Sequence, residues 1–281
     1  MTEQPGRGVV LIAVGDEVLG GIIVDTNSHW LARRLREAGF AVRRIEVVGD
    51  VIADIAAAVR RAAADQEVAR VVVSGGLGPT PDDRTLEAVA LALDLPLEEH
   101  PRALAHVKGI VERIHAAGWF PTPEISKANR KMTLAPRGAT ILNNRRGMAS
   151  GIAVALDSAG AERWLLLLPG VPRELHSLVD EEAIPFLFAG AAAPTVVELV
   201  YRYAIEAQFT EPMEELARLF PDVKVGSYPQ SERRELIIRL RGDDPTSVAA
   251  AVTRMQALRP LELEEGLGGD ASVRAVPVDR R

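Results

Sequence analysis

The chain contains no cysteine among its 281 residues. Disulfide bonds, thiolate metal sites and a cysteine nucleophile are therefore excluded, and any metal ion must be held by oxygen or imidazole ligands. Oxygen ligands favour magnesium, manganese or similar divalent ions. The five histidines show no spacing typical of a metal site. We therefore expect carboxylates to hold any metal.

Long apolar runs and an excess of positive charge are also missing. No run reaches the roughly 20 apolar residues of a membrane helix, and the stretch from Trp164 to Leu168 is only as long as a strand. Residues 1–8 are polar and lack the apolar core of a signal peptide. These absences predict a cytoplasmic protein with no membrane partner. The formal charge of −6 argues against general nucleic-acid binding, which needs a basic surface.

The first part of the chain alternates between strand-like and helix-like segments. Continuous apolar runs such as Val9 to Val14 are typical of strands buried on both faces of a parallel sheet. Three such strands alternate with three helices, which predicts right-handed crossovers and a doubly wound α/β fold with a mostly parallel sheet. The expected strands and helices are, in order, Val9 to Val14, Asn27 to Ala38, Ala41 to Val48, Val51 to Ala64, Arg70 to Ser74 and Pro81 to Leu93.

Further elements follow before a change in composition indicates a second domain. We expect helices from Pro101 to Ala117, Glu124 to Met132 and Arg173 to Phe188, and strands from Ile152 to Leu156 and Trp164 to Leu168, around a turn at Ser158 to Ala161. Small residues at 189–194 predict a linker. The sequence therefore predicts a first domain at 8–190, a smaller α+β domain at 195–260, and a flexible tail at 261–281.

Three glycines stand within four residues directly after the third predicted strand, at Gly75, Gly76 and Gly78. Glycine lets backbone N–H groups approach a ligand closely, and parallel sheets bind ligands at this carboxyl edge. The loop therefore indicates a phosphate site. Asp82 and Asp83 follow at once and would repel a phosphate unless a divalent cation lay between them. The segment predicts a site for a phosphorylated ligand together with a metal ion.

The same segment has a purely structural interpretation. Thr80 would be the N-cap of the following helix, Pro81 its first residue, and the helix dipole would stabilise the two aspartates. The glycine spacing matches neither a Walker loop nor a dinucleotide fingerprint. Three glycines exceed what a turn requires, which favours a functional site, but the sequence leaves both interpretations open.

Acidic residues also follow the first two predicted strands. Asp16 and Glu17 come after the first strand, and Asp50 comes after the second. Asp50 would alternatively serve only as a helix cap, and Asp25 has the same alternative. Because the carboxyl ends of parallel strands meet at one edge, we expect these acids to form one acidic rim around a metal. The expected metal ligands are Asp82, Asp83 and Asp50, and Glu17 is the expected second ligand or general base.

Polar and basic residues elsewhere would complete a pyrophosphate site. Asn27 is expected to hydrogen-bond a ligand, unless it only belongs to a helix cap. Arg130, Lys131 and Arg173 would complement the charge of a pyrophosphate, and the neighbouring Asn129 is also expected to bind the ligand. Basic runs are more often solvated surface, and this alternative also stays open.

With these motifs in view, the chain resembles the CinA family, the competence/damage-inducible proteins. Their N-terminal part has a MoaB/MogA-like molybdopterin-binding fold, so the resemblance implies a three-layer α/β/α sandwich with the ligand at the glycine loop, plus a smaller second domain. The matching segments, in the order typical of the family, are Ala13 to Asn27, Val47 to Asp50, Ser74 to Thr85, Asn129 to Leu142 and Leu167 to Leu175.

The resemblance also implies functional residues and an activity. In the molybdopterin relatives, the functional acids fall on Asp50 and Asp83 of this chain. Thr80, Thr85 and Gly170 lie inside the matching segments and complete the expected ligand-binding set. CinA-like domains are associated with hydrolysis of nucleotide pyrophosphates such as ADP-ribose or FAD, which depends on magnesium, manganese or cobalt. The alternative is a protein that binds molybdopterin or a nucleotide without turnover.

Two further expectations come from the resemblance. Many members of the family carry a C-terminal deamidase domain, which is not found in this sequence, so deamidase activity is not expected. A homodimer or larger homo-oligomer is expected from the exposed edge of a CinA-like sheet. The chain departs from the family at Asn143 to Gly151, where two arginines, Arg145 and Arg146, replace a more usual pattern and would alter ligand preference.

Overall fold

The structure, a computed structural model, describes residues 7–157, 163–188 and 192–260 and the backbone of one further strand at Ser272–Ala275. The chain divides into two compact units, a first unit that spans residues 4–191 and a second unit that begins at residue 192. The predicted turn at 158–161 lies outside the described residues, as does the first half of the predicted linker. No helix in the described ranges is long and apolar enough to cross a membrane.

The first unit contains a six-stranded sheet and a separate pair of short strands. Its eight strands are β1 (Gly8–Val14), β2 (Ala41–Val48), β3 (Val68–Ser74), β4 (Leu97–Glu99), β5 (Leu134–Pro136), β6 (Thr140–Leu142), β7 (Gly151–Ala155) and β8 (Trp164–Leu168). The strand order of the large sheet is β2-β1-β3-β8-β7-β6. The first four strands in that order pair in parallel, whereas β7 and β6 are antiparallel, so the prediction of a mostly parallel sheet is confirmed.

Helices cover both faces of this sheet. They are α1 (Asp16–Leu19), α2 (Thr26–Glu37), α3 (Ile52–Ala64), α4 (Thr85–Leu93), α5 (Pro101–Ala116), α6 (Lys127–Arg130), α7 (Pro172–Leu178) and α8 (Ile184–Leu187). Successive side chains of β1 point to opposite faces, so Val10 and Ile12 pack with α3 and α4 while Val9 and Leu11 pack with α2 and α7. The result is the three-layer α/β/α sandwich that the resemblance implied.

Burial on both faces explains why β1 is an uninterrupted apolar run. All seven of its residues are buried. Complete burial of a valine or leucine side chain contributes roughly 1.5–3 kcal/mol relative to exposure, so this central strand holds the two helical layers together. Its carboxyl end therefore has a fixed position, beside the ends of β2 and β3.

Two predicted helices begin later in the structure, and a third is interrupted. The helix expected from Pro81 begins at Thr85, because the carboxylate of Asp83 accepts a hydrogen bond from the backbone N–H of Thr80 at 2.8 Å and closes a turn before the helix. Arg84 is the N-cap, so the interpretation of Thr80 as the cap is wrong. The helix expected from Glu124 begins at Lys127, after the N-cap Ser126. The helix expected from Arg173 contains a π-helical segment, Val179–Ala183, between α7 and α8.

The second unit is a four-stranded antiparallel sheet with two helices. Its elements are β9 (Thr195–Arg202), α9 (Thr210–Leu219), β10 (Lys224–Gln230), β11 (Glu235–Gly242), α10 (Pro245–Leu258) and β12 (Ser272–Ala275), with strand order β10-β11-β9-β12. Buried and half-buried residues alternate along β11, as expected of a sheet with one face under helices. The carboxylate of Asp244 caps α10 by accepting from the backbone N–H of Thr246 at 2.9 Å.

Part of the predicted flexible tail has regular structure. Ser272–Ala275 pairs antiparallel with β9, within the stretch 261–281 that the sequence assigns to a flexible tail. A segment of four residues is too short for its alternation of polar and apolar residues to be recognised as a strand. The other residues of that predicted tail lie outside the described residues.

Candidate functional site

A cavity of about 630 Å³ opens at the carboxyl edge of the parallel strands. This volume falls within the range of roughly 300–1,000 Å³ typical of small-molecule sites. The ends of β1, β2, β3 and β8 all contribute residues, because the parallel arrangement places these ends side by side. Of the predicted site residues, those that line the cavity are Glu17, Asn27, Asp50, Gly75, Gly76, Gly78, Asp82, Asp83, Asn129 and Gly170.

The glycine loop lies against the end of β1. Gly75 has a φ of +104°, and a Cβ placed there would stand 2.2 Å from the backbone oxygen of Val14, so only glycine allows this approach. Within the described ranges, the backbone N–H groups of Gly76, Leu77 and Gly78 have no hydrogen-bond partner. Consecutive N–H groups of this kind form an anion-binding concavity. The loop therefore has unpaired donors at Gly76, Leu77 and Gly78. The N–H of Gly75, which the sequence predicts as a further donor, is instead bonded to the backbone oxygen of Leu168 at 3.0 Å.

Thr85 holds this loop from beneath. Its side chain is fully buried, and its hydroxyl donates to the backbone oxygen of Gly75 at 2.8 Å. Its backbone N–H donates to the oxygen of Gly76 at 3.2 Å. Thr85 is thus placed under the loop and outside the cavity lining, where it fixes the glycines and has no open path to a ligand.

Asp16 and Asp50 join the ends of β1 and β2 through a reciprocal pair of hydrogen bonds. The backbone N–H of Asp16 donates to Oδ2 of Asp50 at 2.9 Å, and the backbone N–H of Asp50 donates to Oδ1 of Asp16 at 3.1 Å. Val51 is the N-cap of α3, so Asp50 is not the cap of that helix. Burial raises the pKa of Asp50 above its ordinary value, and the negative charges of Asp16 and Glu17 add to this effect.

Asp82 and Asp83 occupy the turn before α4. Oδ2 of Asp83 accepts from both the N–H and the hydroxyl of Thr80, at 2.8 and 2.5 Å. The ammonium group of Lys131 donates to the backbone oxygens of Thr80 and Asp83, which ties the turn to the loop after α6. Hydrogen bonding from Thr80 lowers the pKa of Asp82, and the positive charge of Lys131 lowers it further. Asp82 therefore carries negative charge beside the cavity at neutral pH.

The start of α2 combines a helix cap with a cavity residue. The carboxylate of Asp25 accepts from the backbone N–H of Ser28 at 2.9 Å, which confirms the capping interpretation for Asp25. The side-chain amide of Asn27 donates to the backbone oxygen of Gly170 at 2.7 Å and so links α2 to the segment before α7. The Oδ1 atom of Asn27 is buried and has no hydrogen-bond partner among the described residues. Because Asn27 lines the cavity, this oxygen is an unused acceptor at the cavity.

The cavity is acidic, and the predicted basic residues do not line it. Among the residues that the structure describes, no lysine, arginine or histidine lies on its surface. Arg130 pairs with Glu99 at 3.0 Å, and Lys131 is bonded to backbone oxygens. Arg173 is exposed, and Thr80 also lies outside the lining. Six carboxylates contribute to the lining, namely those of Glu17, Asp25, Asp50, Asp82, Asp83 and Glu174.

The donor set suits a metal ion that is shared with a ligand. Across the described ranges, no group of three or more His, Asp or Glu side chains is arranged to hold a metal by itself. Magnesium is usually bound through one or two carboxylates together with substrate phosphates. Asp50 uses only Oδ2 in its bond to Asp16, and Asp82 has an exposed carboxylate on the lining. These oxygens fit a metal ion whose other ligands come from a phosphate.

Comparison with known proteins agrees with this fold. The family described as "Probable molybdopterin binding domain" matches residues 10–189, and the "FAD synthase, middle domain" family matches residues 194–264. A protein of Pyrococcus abyssi is 34% identical over 91% of this chain and 98% of its own length. A CinA-like protein of Anaeromyxobacter is 40% identical over 70% of this chain and 45% of its own length. A crystal structure of CinA from Thermoplasma acidophilum, of unknown function, matches with a TM-score of 0.55 and 31% identity, over 65% of this chain and 98% of that one.

The chain belongs to the CinA-like proteins. Its residues 10–189 belong to the family described as a probable molybdopterin binding domain, in agreement with the resemblance. The loop in which this CinA-like chain departs from the family pattern lies beside the cavity, since Met148 and Ala149 belong to the lining. Arg145 of that loop forms an ion pair with Glu181 at 3.4 Å and does not line the cavity.

Sequence reasoning missed two residues that shape this side of the CinA-like cavity. Glu174, in the first turn of α7, belongs to the lining. Asn144 is 1% exposed, and its side-chain amide donates to Oε2 of Glu174 at 2.7 Å. Glu174 lies inside the matching segment from Leu167 to Leu175, so its position was marked by the resemblance, but nothing in the local pattern distinguishes it from a solvent-exposed helix residue.

Proposed function

We propose that the chain is a divalent-metal-dependent nucleotide pyrophosphatase that hydrolyses ADP-ribose- or FAD-like dinucleotides. The observation that carries this proposal is the composition of the cavity. Glycine-loop residues whose backbone N–H groups are unpaired, and so suit a phosphate, line the same cavity as six acidic residues. The match to the middle domain of FAD synthase supports a nucleotide as the ligand class.

The charge balance explains why a metal is part of the proposal. Two unit charges 4 Å apart interact with about 1 kcal/mol in bulk water and with about 4 kcal/mol near a protein surface. A pyrophosphate would meet several such repulsions, because no basic side chain from the described ranges lines the cavity. A divalent cation between phosphate and carboxylates reverses the sign of these interactions. The acidic lining therefore favours a ligand that arrives with its cation.

The residues that line the cavity would bind the ligand, hold the metal or accept a proton. The unpaired backbone N–H groups of Gly76, Leu77 and Gly78 would hold a phosphate, and Gly75 would place them through its close approach to β1. Asn27, Asn129 and Gly170 would contact the remainder of the ligand. A bound metal would polarise the phosphoryl group and lower the pKa of a water ligand. Glu17 is exposed on the lining, free to accept a proton from the attacking water. The proposed metal ligands are Asp50, Asp82 and Asp83.

Residues outside the lining would act indirectly. Thr80 orients the carboxylate of Asp83, Thr85 fixes the glycines, and Lys131 ties the turn to its neighbouring loop. Arg130 and Arg173 have no contact with the cavity surface in the structure, so a direct role for them requires a movement when ligand binds.

Release of AMP tests the proposal. The purified chain is incubated with ADP-ribose and with FAD, in magnesium, manganese or cobalt and in EDTA. We expect AMP only with metal, and we expect Asp50→Asn and Asp83→Asn to lower kcat by roughly a hundredfold or more, as loss of a group that stabilises a transition state does. Asp54→Asn is the matched control, because Asp54 is an exposed aspartate of α3 outside the lining. If neither substrate releases AMP with any of the three metals, the proposed hydrolase activity is contradicted.

The second candidate function is a protein that binds molybdopterin or a nucleotide without turnover. The absence of a self-sufficient three-ligand metal group in the described residues favours it. It predicts ligand binding that survives EDTA with no release of AMP. Equilibrium binding of a nucleotide and of a pterin phosphate, measured with and without EDTA, separates this function from the first.

A further inference from the structure

The cavity contains one carboxylate that does not belong to the ends of the parallel strands. Glu174 stands in the first turn of α7, and its Oε2 accepts from the side-chain amide of Asn144 at 2.7 Å. Its other oxygen, Oε1, has no hydrogen-bond partner in the described part of the chain, nor does a lysine or arginine there form an ion pair with this carboxylate. One oxygen is therefore held by the protein while the other remains available on the cavity surface.

The orientation of Asn144 is fixed completely. Its Oδ1 accepts from the backbone N–H groups of Arg146 and Gly147, at 2.9 and 3.0 Å. Its amide group donates to the backbone oxygen of Ala149 at 2.8 Å as well as to Glu174. Reversal of the amide would lose all four bonds in a residue that is 1% exposed. Asn144 is thus a rigid support for one specific position of the Glu174 carboxylate.

Gly147 completes this support. A Cβ placed on Gly147 would stand 1.8 Å from Oε2 of Glu174, so the carboxylate lies directly over the bare Cα. The three nearest atoms all belong to that carboxylate, and the φ of Gly147 is not positive. Glycine is required here by the position of Glu174 and by no feature of the backbone. The loop from Asn144 to Ala149 is built around a glutamate that faces a cavity.

We propose that Glu174 binds the ribose hydroxyls of a nucleotide in this cavity, with Asn144 as its positioning residue. An ionised carboxylate only accepts hydrogen bonds, so the ligand group opposite Oε1 must be a donor. Phosphate oxygens are acceptors and are excluded from this place, whereas the two ribose hydroxyls are donors. Carboxylates recognise ribose hydroxyls in the same way in dinucleotide-binding folds.

The assignment rests on the nucleotide ligand of the proposed function but not on hydrolysis. It orients the nucleotide, because the phosphates lie at the glycine loop and the sugar lies at α7. Specificity for a ribonucleotide would then come from Glu174 alone, and not from the acids at the strand ends.

Binding of non-hydrolysable nucleotides tests the assignment. The full chain is titrated in magnesium with α,β-methylene ADP, with its 2′,3′-dideoxy form, with its inosine form, and with methylenediphosphonate, which lacks a sugar. We expect the ribose form to bind roughly tenfold or more tightly than the dideoxy form, as the loss of hydrogen bonds to a charged group implies. The adenine and inosine forms should bind with similar affinity, because the donor recognised is on the sugar.

Two variants remove the recognition in different ways. Glu174→Gln keeps the shape and removes the charge, so the preference for ribose should fall severalfold. Gly147→Ala should displace the carboxylate into solvent and abolish the preference, and it should fold because the only obstacle is the end of a flexible side chain. Glu182→Gln is the matched control, since Glu182 lies on the same helical segment and outside the cavity lining. The affinity for methylenediphosphonate should be the same in all four proteins.

The outcomes separate this assignment from its rivals. Equal affinity for the ribose and dideoxy forms, or no binding of any nucleotide, overturns it. A loss of methylenediphosphonate binding in Glu174→Gln would make Glu174 a metal or phosphate ligand, and a preference for adenine over inosine that disappears in this variant would make it a reader of the base. A preference for ribose without release of AMP from ADP-ribose would contradict the proposed hydrolase activity and support ribose binding by Glu174. Release of AMP with the same KM for ribose and dideoxy substrates would support the hydrolase activity and contradict ribose binding by Glu174.

Discussion

The acidic and the basic residues that the sequence places near a ligand have different fates in the structure. The acids after β1, β2 and β3, including Glu17, Asp50 and Asp82, line one cavity. The predicted basic residues line no part of it: Arg130 pairs with Glu99, and Lys131 is bonded to backbone oxygens of Thr80 and Asp83 in the turn beside the cavity. The acids were predicted to lie together because of the strand topology. The basic residues were predicted to join them only because their charge would complement a pyrophosphate.

The difference shows which kind of inference a sequence supports. Parallel strands that are buried on both faces have ends at one edge whatever the loops do, so short side chains placed there must come together. Long side chains such as arginine reach several alternative partners, and a nearby carboxylate or carbonyl oxygen satisfies them first. Arg130 finds Glu99 and Arg145 finds Glu181, both far along the chain. Backbone topology therefore predicts a site better than charge alone.

The largest expected effect concerns the close approach that brings the strand ends together. Gly75→Ala would place a Cβ 2.2 Å from the backbone oxygen of Val14 at a φ of +104°, so we expect a loss of about 3 kcal/mol or more in the free energy of unfolding. Gly138→Ala is the control, because Gly138 has a φ of +80° with no atom within 4 Å of its Cβ position, and strain alone should cost about 1 kcal/mol.

Urea unfolding followed by tryptophan fluorescence measures both variants. The three tryptophans, Trp30, Trp119 and Trp164, all belong to the first unit, so the signal reports on that unit. Equal losses for the two variants would mean that the edge of the sheet is not held by this contact, and the convergence of the acids would need another explanation.

Much of the fold could be predicted because its signals are local and repeated. The bounds of β2 and α3 agree with the sequence to the residue or within one, since apolar periodicity determines them. The start of α4 could not be predicted, because the bond from Thr80 to Asp83 competes with a capping pattern that reads equally well. The short strands β4 and β5 pair across a long stretch of chain, and three residues carry too little periodicity to reveal them.

The candidate site divides along the same line. The strand-end residues were predictable, whereas Glu174 owes its place in the cavity to Asn144 and Gly147, which come from another loop about thirty residues earlier. Such a support exists only after the tertiary fold brings α7 against that loop. No single-sequence pattern contains it.

A smaller effect, opposite in sign under two conditions, would sharpen the contrast between the acidic edge and the basic loops. Asp82 is exposed and charged, so Asp82→Asn in EDTA should raise the affinity for methylenediphosphonate by about two- to fivefold through loss of repulsion. In magnesium the same variant should lower the affinity, because a proposed metal ligand is lost. Arg145→Gln should change neither value by more than about twofold, because Arg145 faces Glu181. Isothermal titration in the two buffers measures all three proteins, and a fall in affinity for Asp82→Asn in EDTA would contradict the repulsive role of the rim.

The smallest expected effect is on the pH dependence of stability. Burial, together with Asp16 and Glu17, raises the pKa of Asp50 in the folded chain above its ordinary value of 3.8. The unfolded chain therefore releases this proton more easily, so the charged carboxylate lowers the free energy of unfolding at pH 7, and this penalty disappears as the pH falls through the raised pKa towards 3.8. Asp50→Asn keeps an acceptor for the N–H of Asp16 and should raise stability at pH 7 by at most about 1 kcal/mol, because solvent screens a partly exposed group.

The matched variant Asp54→Asn should act in the opposite direction. Asp54 lies in the first turn of α3, where its charge is favourable to the helix dipole, so its removal should lower stability at pH 7 by roughly 0.3–1 kcal/mol. Urea unfolding at pH 7 and near pH 4 gives both differences, and the gain for Asp50→Asn should shrink at the lower pH. A loss of stability at pH 7 for both variants would mean that the acids at the strand ends do not repel one another. In that case the acidic edge would be ordinary surface charge like the basic loops, and the contrast between the two regions would rest on geometry alone.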